Sequence, residues 1–169
     1  NVILEGELNI PQGATGVVLF AHGSGSSRHS PRNKYVADIL REHGIGTLLL
    51  DLLTPEEDLD YEMRFNIDLL AQRLIAATKW LQEEEETYNF AIGYFGASTG
   101  AAAAIQSAAV LGGRIGAIVS RGGRPDMAEP YLGKVEAPTL LIVGGYDDVV
   151  IEMNRSANER LKGTKHLEI

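Results

Sequence analysis

Gly96-Ala97-Ser98-Thr99-Gly100 reads G-x-S-x-G, and its serine is the best-placed nucleophile in the chain. A serine hydroxyl is weak by itself. It becomes reactive when a base accepts its proton and a third group orients that base. The apolar run Asn89–Ala97 leads in, and the alanine-rich run Ser98–Leu111 leads out. A strand turning sharply into a helix would hold Ser98 at the tip of the turn. The residues two before and two after must then be small, because strand and helix crowd there. Gly96 and Gly100 meet that need. The plainer alternative is that Ser98 only caps the helix.

Downstream, LLIVGGYDDVV is an apolar run ending in Gly144-Gly145, followed by Asp147 and Asp148. A carboxylate in the loop after a parallel strand lies on the same sheet edge as Ser98. Asp147 is therefore the expected orienting acid, with Asp126 as runner-up. A helix cap or turn is the plainer role for Asp147. The tetrahedral oxyanion needs two backbone N–H donors. Thr99, just after the nucleophile, supplies one. Ser24, in His22-Gly23-Ser24-Gly25 after an earlier apolar run, is expected to supply the other. His22 is expected to buttress that loop. Arg28, Arg32, Arg121 and Arg124 fall in two loops that should open beside Ser98. They suggest an anion subsite, with Arg28 and Arg121 as its substrate-binding pair. Ion pairs that shape the loops are the alternative.

The elements that must position these residues follow from periodicity. Val2–Ile10 alternates and ends at Pro11, as an edge strand does. Gly16–Ala21, Gly46–Leu53, Asn89–Ala97, Ile115–Ser120 and Thr139–Val143 read as buried strands, and His166–Ile169 as the start of another. Between them lie helical patterns at Arg32–His43, Tyr61–Glu86, Ser98–Leu111 and Val150–Leu161, with an acidic loop at Thr54–Asp60. Strands alternating with helices give an α/β fold, a mostly parallel sheet flanked by helices on both faces. The segment from Arg121 to Ala137 is too short for a lid domain.

The 169 residues, 44% of them hydrophobic, suffice for one domain with a sizeable core. The absence of cysteine excludes disulfides, thiolate catalysis and Cys-ligated metals, and fits a cytoplasmic protein. A net charge of −8 argues against nucleic acid or acidic lipid as partner. No apolar run reaches the ~18 residues that span a bilayer. Neither G-x-G-x-x-G nor a P-loop is present, so no cofactor and no metal is expected, only a small-molecule substrate.

FAHGSGSSRHSPRN, GYFGASTGAAAA, VSRGGRPDMA and APTLLIVGGYDDVV, in that order, resemble the dienelactone hydrolase-like family of α/β-hydrolases. The likeness is to the branch sometimes found fused to phosphoribosyltransferase domains, and it runs over nearly the whole chain. It implies the α/β-hydrolase fold and a Ser-Asp-His hydrolase of esters or lactones. Dienelactone hydrolases proper use cysteine where this chain has Ser98, so a dienelactone substrate does not carry over. The expected activity is a serine hydrolase of a small carboxyl ester, lactone or thioester, with an anionic group if the arginines line the site. The other reading is an impaired or non-catalytic protein of this fold that binds an anionic ligand.

The base is the difficulty. The histidines are His22, His29, His43 and His166. His43 ends a helix before a strand, which puts it at the wrong edge. His22 and His29 belong to the loop expected to supply the oxyanion donor. His166 follows Asp147 but begins the last strand, about 13–17 Å from the edge that carries Ser98. A base must lie within about 3 Å, or one water away. None of the four is expected to be the base, with His29 as the fallback. The resemblance implies that related chains run on to a loop carrying the histidine. Residues 1–169 are thus expected to be a single α/β-hydrolase domain, truncated in or after the last strand and nearly inactive as it stands.

Overall fold

A computed structural model describes all residues, 1–169. One seven-stranded sheet runs through it in the order β1-β3-β2-β4-β5-β6-β7. The strands are β1 (Gly6–Asn9), β2 (Gly16–Ala21), β3 (Gly46–Leu50), β4 (Ala91–Ala97), β5 (Ala117–Arg121), β6 (Thr139–Ile142) and β7 (Lys165–Glu168). β1 is antiparallel to β3, and every other pairing is parallel. The helices are α1 (Pro31–Glu42), α2 (Pro55–Asp58), α3 (Ile67–Glu83), α4 (Thr99–Leu111), α5 (Glu129–Leu132) and α6 (Asp148–Arg160). This is the expected mostly parallel sheet flanked by helices. No helix is long and apolar enough to cross a membrane.

Register sorts the side chains onto two faces, because partners across a parallel ladder share a face while neighbours along a strand alternate. Leu49, Phe20, Phe95, Val119 and Leu140 form one row across the sheet. α1 packs on this side, with Ala37 against Phe20, Leu49 and Phe95. Leu19, Tyr94 and Ile118 lie on the other side, in the larger core with α3 and α4. There the Tyr94 hydroxyl meets Thr78 Oγ1 at 2.6 Å, and burial pushes its phenol well above the ordinary tyrosine range. Ala101–Ala104 are fully buried, so α4 lies directly on the sheet.

β2 pairs with β3 on one side and β4 on the other. The chain reverses its winding there, and such a point opens a crevice beyond the carboxyl ends of the strands. The loops after β2, β4 and β5 meet at that crevice.

Several elements differ from the periodicity reading, among them the expected acidic loop Thr54–Asp60, where Pro55–Asp58 forms the helix α2 behind a Thr54–Glu57 capping box. The ladder of β1 begins at Gly6, and Val2 and Leu4 before it line an apolar groove together with Leu8, Leu48, Leu50 and Trp80. β3 ends at Leu50; the Asp51 amide still bonds the Glu5 carbonyl at 2.9 Å, while its side chain accepts from the Arg28 amide at 2.7 Å. The long helical pattern from Tyr61 is broken at Asn66. Its side chain accepts from the Leu69 amide and starts α3 afresh, behind a 3-10 turn at Tyr61–Phe65.

Candidate active site

Ser98 has φ +52° and ψ −122°, and it is the only non-glycine residue with positive φ. It occupies the N-cap position of α4, yet its side chain makes no capping bond. Its carbonyl is held twice, by the Ala101 amide and by the Arg124 amide, each at 3.1 Å. The flanking glycines are steric necessities. A Cβ on Gly96 would lie 2.5 Å from the Ala101 Cα, and one on Gly100 would lie 2.1 Å from the Ala21 carbonyl oxygen. Strand, turn and helix thus close tightly around an unpaired hydroxyl, in a backbone conformation L-residues avoid.

The loop after β2 is packed against this turn. A Cβ on Gly23 would touch the Ser98 Cβ at 3.0 Å. The Ser26 amide donates to the Gly23 carbonyl at 3.1 Å around Gly25, whose φ of +73° suits the third position of a type II turn. His22 is buried, with Nδ1 2.9 Å from the Gly23 carbonyl and Nε2 accepting from the Leu52 amide at 3.0 Å. A carbonyl can only accept and an amide can only donate, so this histidine is the neutral Nδ1–H tautomer with both nitrogens engaged. It ties the loop to the end of β3 and has no lone pair left for Ser98. Ser24 sits in the turn, and no backbone acceptor takes its amide. Thr99 is the first residue of α4, where a helix amide has no intrahelical partner.

The carboxylates are placed differently from one another. Asp147 follows β6 and caps α6, its Oδ1 accepting from the Val150 amide at 3.2 Å. It is exposed, and its other oxygen has no protein partner. Asp126 is held by both ends of the Arg124 guanidinium, at 2.9 and 2.8 Å. No histidine bonds to either acid. His43 caps α1 away from the crevice, with Nδ1 2.8 Å from the Ile39 carbonyl. His166 pairs in register with Leu140, at the start of β6, and faces Glu168 at 3.1 Å. His29 is exposed on the loop after β2.

A cleft of about 550 Å³ opens over Ser98, lined also by Gly23, Ser26, Ser30, Arg32, Asn33 and Arg121. Of the four arginines expected there, the structure brings two. Arg28 is turned away. Its amide and guanidinium hold Asp51, and it reaches Glu5 at 2.6 Å, so it binds the loop to β3 and the N-terminal segment. Arg124 is taken by Asp126. Arg121 lines the cleft, stacked 6.0 Å from the Phe95 ring centre, with one long contact to Asn33 Oδ1 at 3.4 Å. Burial, and then the nearby charge of Arg32, push its guanidinium below its ordinary pKa. A guanidinium stays charged even so.

A solved structure of dienelactone hydrolase from Anabaena variabilis is 57% identical, with a TM-score of 0.97 over 99% of this chain and 80% of that one. The chain belongs to the dienelactone hydrolase family. Two Mycobacterium tuberculosis proteins, from strains CDC 1551 and H37Rv and each carrying the name phosphoribosyl transferase, are 53% identical over 168 residues. The chain spans 38% of the length of these curated relatives, a coverage consistent with a fusion. An α/β serine hydrolase homologue from Coxiella burnetii, 17% identical with a TM-score of 0.80 over 98% of this chain and 80% of that one, shares the fold. No family model matches the chain.

Within this dienelactone hydrolase-family site, sequence reasoning passed over two residues. Asn33 is 2% exposed at the cleft wall, and Asn154 is fully buried with Nδ2 donating to the Gly123 carbonyl at 3.1 Å. Gly123 precedes Arg124, whose amide holds Ser98, so Asn154 braces the turn from behind. The available signal was an asparagine on an apolar helix stripe, Ile151-Asn154-Ala157. The strained turn has a measurable cost. A non-glycine residue in such a conformation costs about 1–3 kcal/mol. Ser98→Gly is expected to be about 1 kcal/mol more stable than Ser98→Ala in denaturant unfolding, the extra flexibility of glycine in the unfolded chain offsetting part of the relief. Equal midpoints would mean the turn is unstrained.

Proposed function

We propose that this chain is the nucleophile-bearing part of a serine hydrolase that cleaves a small carboxyl ester, lactone or thioester through an acyl-enzyme at Ser98. One observation carries the reading: Ser98 alone among the non-glycine residues is held at positive φ, its hydroxyl free, at a strand-to-helix turn facing a cleft. Strain of that kind persists where it presents a reactive group.

In this reading Ser98 Oγ attacks the carbonyl carbon and gives its proton to a base. The oxyanion is met by the amides of Ser24 and Thr99, at the positive end of α4. Collapse expels the alcohol or thiol, which takes the proton, and water then hydrolyses the acyl-serine with the same base. Asp147 orients that base. The base is a histidine on the loop that follows β7, since none of the four histidines here bonds to Ser98 or to Asp147. β7 runs parallel to β6, with Glu168 beside Ile142, and so heads for the edge that carries Ser98. The arginine-lined cleft supports an anionic group on the substrate.

A second reading is a non-catalytic protein of this fold that binds an anion, favoured by the two arginines without carboxylate partners in the cleft. Fluorophosphonate labelling separates the two. A form extended through the loop after β7 should label stoichiometrically, and the 169-residue chain only slowly. No labelling of either form leaves the binding reading. In the extended form Asp147→Asn should lower turnover by about 10⁴-fold by leaving the imidazolium without its counter-charge. If Asp126→Asn has that effect and Asp147→Asn does not, the acid is Asp126.

A further inference from the structure

We propose that the cleft beside Ser98 carries a phosphate subsite, built from Arg121, Arg32, Asn33 and the first turn of α1, which holds a phosphate group on the non-reacting part of the substrate. That the phosphate belongs to a substrate rests on the hydrolase reading. The anion site itself does not require Ser98 to react.

The charge balance of the cleft is the first ground. Its walls include two arginines and no aspartate or glutamate. Elsewhere in the same two loops the arginines have acids: Arg28 has Asp51 and Glu5, and Arg124 has Asp126. Arg121 has only the 3.4 Å contact to Asn33, and its buried Nε has no partner at all. A half-buried cation left uncompensated beside a second cation is unfavourable, and an anion relieves both terms.

The donors are the second ground. Asn33 is 98% buried, its Oδ1 turned to Arg121, and its Nδ2 at the cleft wall donates to nothing in the protein. α1 is a twelve-residue helix whose N-terminus forms the same wall. Pro31 has no N–H, and Ser30 Oγ takes the Asn33 amide. The Arg32 amide remains in the first turn with no intrahelical acceptor, at the positive end of the helix dipole. Ser26 and Ser30 add hydroxyls to the wall.

The number of charges selects phosphate over carboxylate. One guanidinium satisfies a carboxylate with two parallel bonds. Here two formal positive charges and a helix terminus converge, with donors left over. A phosphate monoester, with close to two negative charges and three terminal oxygens, matches that set.

The experiment titrates the 169-residue chain with inorganic phosphate, and separately with acetate, at constant ionic strength, reading thermal stability and amide chemical shifts. Phosphate is expected to stabilise the protein and shift the amides of α1's first turn, with acetate much weaker. Arg121→Gln and Arg32→Gln should each weaken phosphate binding about tenfold or more, the loss of one charge-assisted hydrogen bond. Arg124→Gln should leave it nearly unchanged. Should Arg121→Gln fail to fold, the exposed Arg32→Gln decides. No phosphate response, an equal response to acetate, or a phosphate response indifferent to both cleft arginines overturns the proposal. Fluorophosphonate labelling of the extended form is scored separately. Labelling without a phosphate response removes the subsite and keeps the hydrolase, and a phosphate response without labelling does the reverse.

Discussion

Ser98→Ala, in the form extended through the loop after β7, is expected to lose about 10⁶-fold in ester turnover and all fluorophosphonate labelling, while folding as the parent does. The size follows from removing the atom that forms the covalent bond, because base and oxyanion donors without a nucleophile retain little rate. The fold should survive because the hydroxyl supports nothing: Ser98 makes no capping bond, and its backbone is held by the Ala101 and Arg124 amides, which alanine leaves in place. Turnover and circular dichroism of parent and variant check both halves. An alanine variant hydrolysing the ester at the parent rate would remove Ser98 from the chemistry.

Gly100→Ala is expected to destabilise the protein by about 3 kcal/mol, enough to move a denaturant midpoint clearly. Two effects compete. Gly100 lies in α4, and alanine is favoured over glycine inside a helix by about 1 kcal/mol. Against that, the new Cβ would lie 2.1 Å from the Ala21 oxygen and 2.5 Å from the His22 oxygen. Both obstacles are backbone, so relief requires moving α4 off the end of β2. Packing therefore outweighs propensity. The same displacement carries His22 and Gly23 away from Ser98, so labelling in the extended form should fall as well. Gly144→Ala is the control, since a Cβ there meets nothing within 4 Å. A Gly100→Ala variant as stable as that control would show that helix and strand are looser than the contacts imply.

The sequence was most legible where one residue's chemistry and its immediate neighbours suffice. The strand-helix alternation and the glycine spacing around Ser98 are local, and both led to the observed turn. Arg28 was opaque because its partner, Asp51, lies 23 residues on, and its other partner, Glu5, precedes it on a different segment. Only the pairing of β1 with β3 brings those acids together. Arg121 and Arg124 lie three residues apart, and only Arg124 has an acid two residues on in the sequence. One follows the strand direction into the cleft, and the other closes on Asp126 two residues later. The break at Asn66 was hidden because the apolar spacing runs through it, while the side-chain cap that restarts the helix carries no hydropathy signal.

The pairing of β2 with β4 also governs when the crevice comes into being. Gly16 lies beside Ala91, 75 positions later in the chain (91 − 16). Until that loop closes, β2 has β3 as its neighbour on one side and an open ladder on the other. The glycine-rich turn after β2 then has no serine to pack against, and α4 has no carbonyl of Ala21 to rest on. Contacts so distant in sequence form late and all together, because the entropy of closing the loop must be overcome before any of them contributes. A growing chain released before Ala97 would therefore hold half of the crevice and none of its chemistry. The turn at Ser98, the loop after β2 and the seat of α4 thus come together with the centre of the sheet.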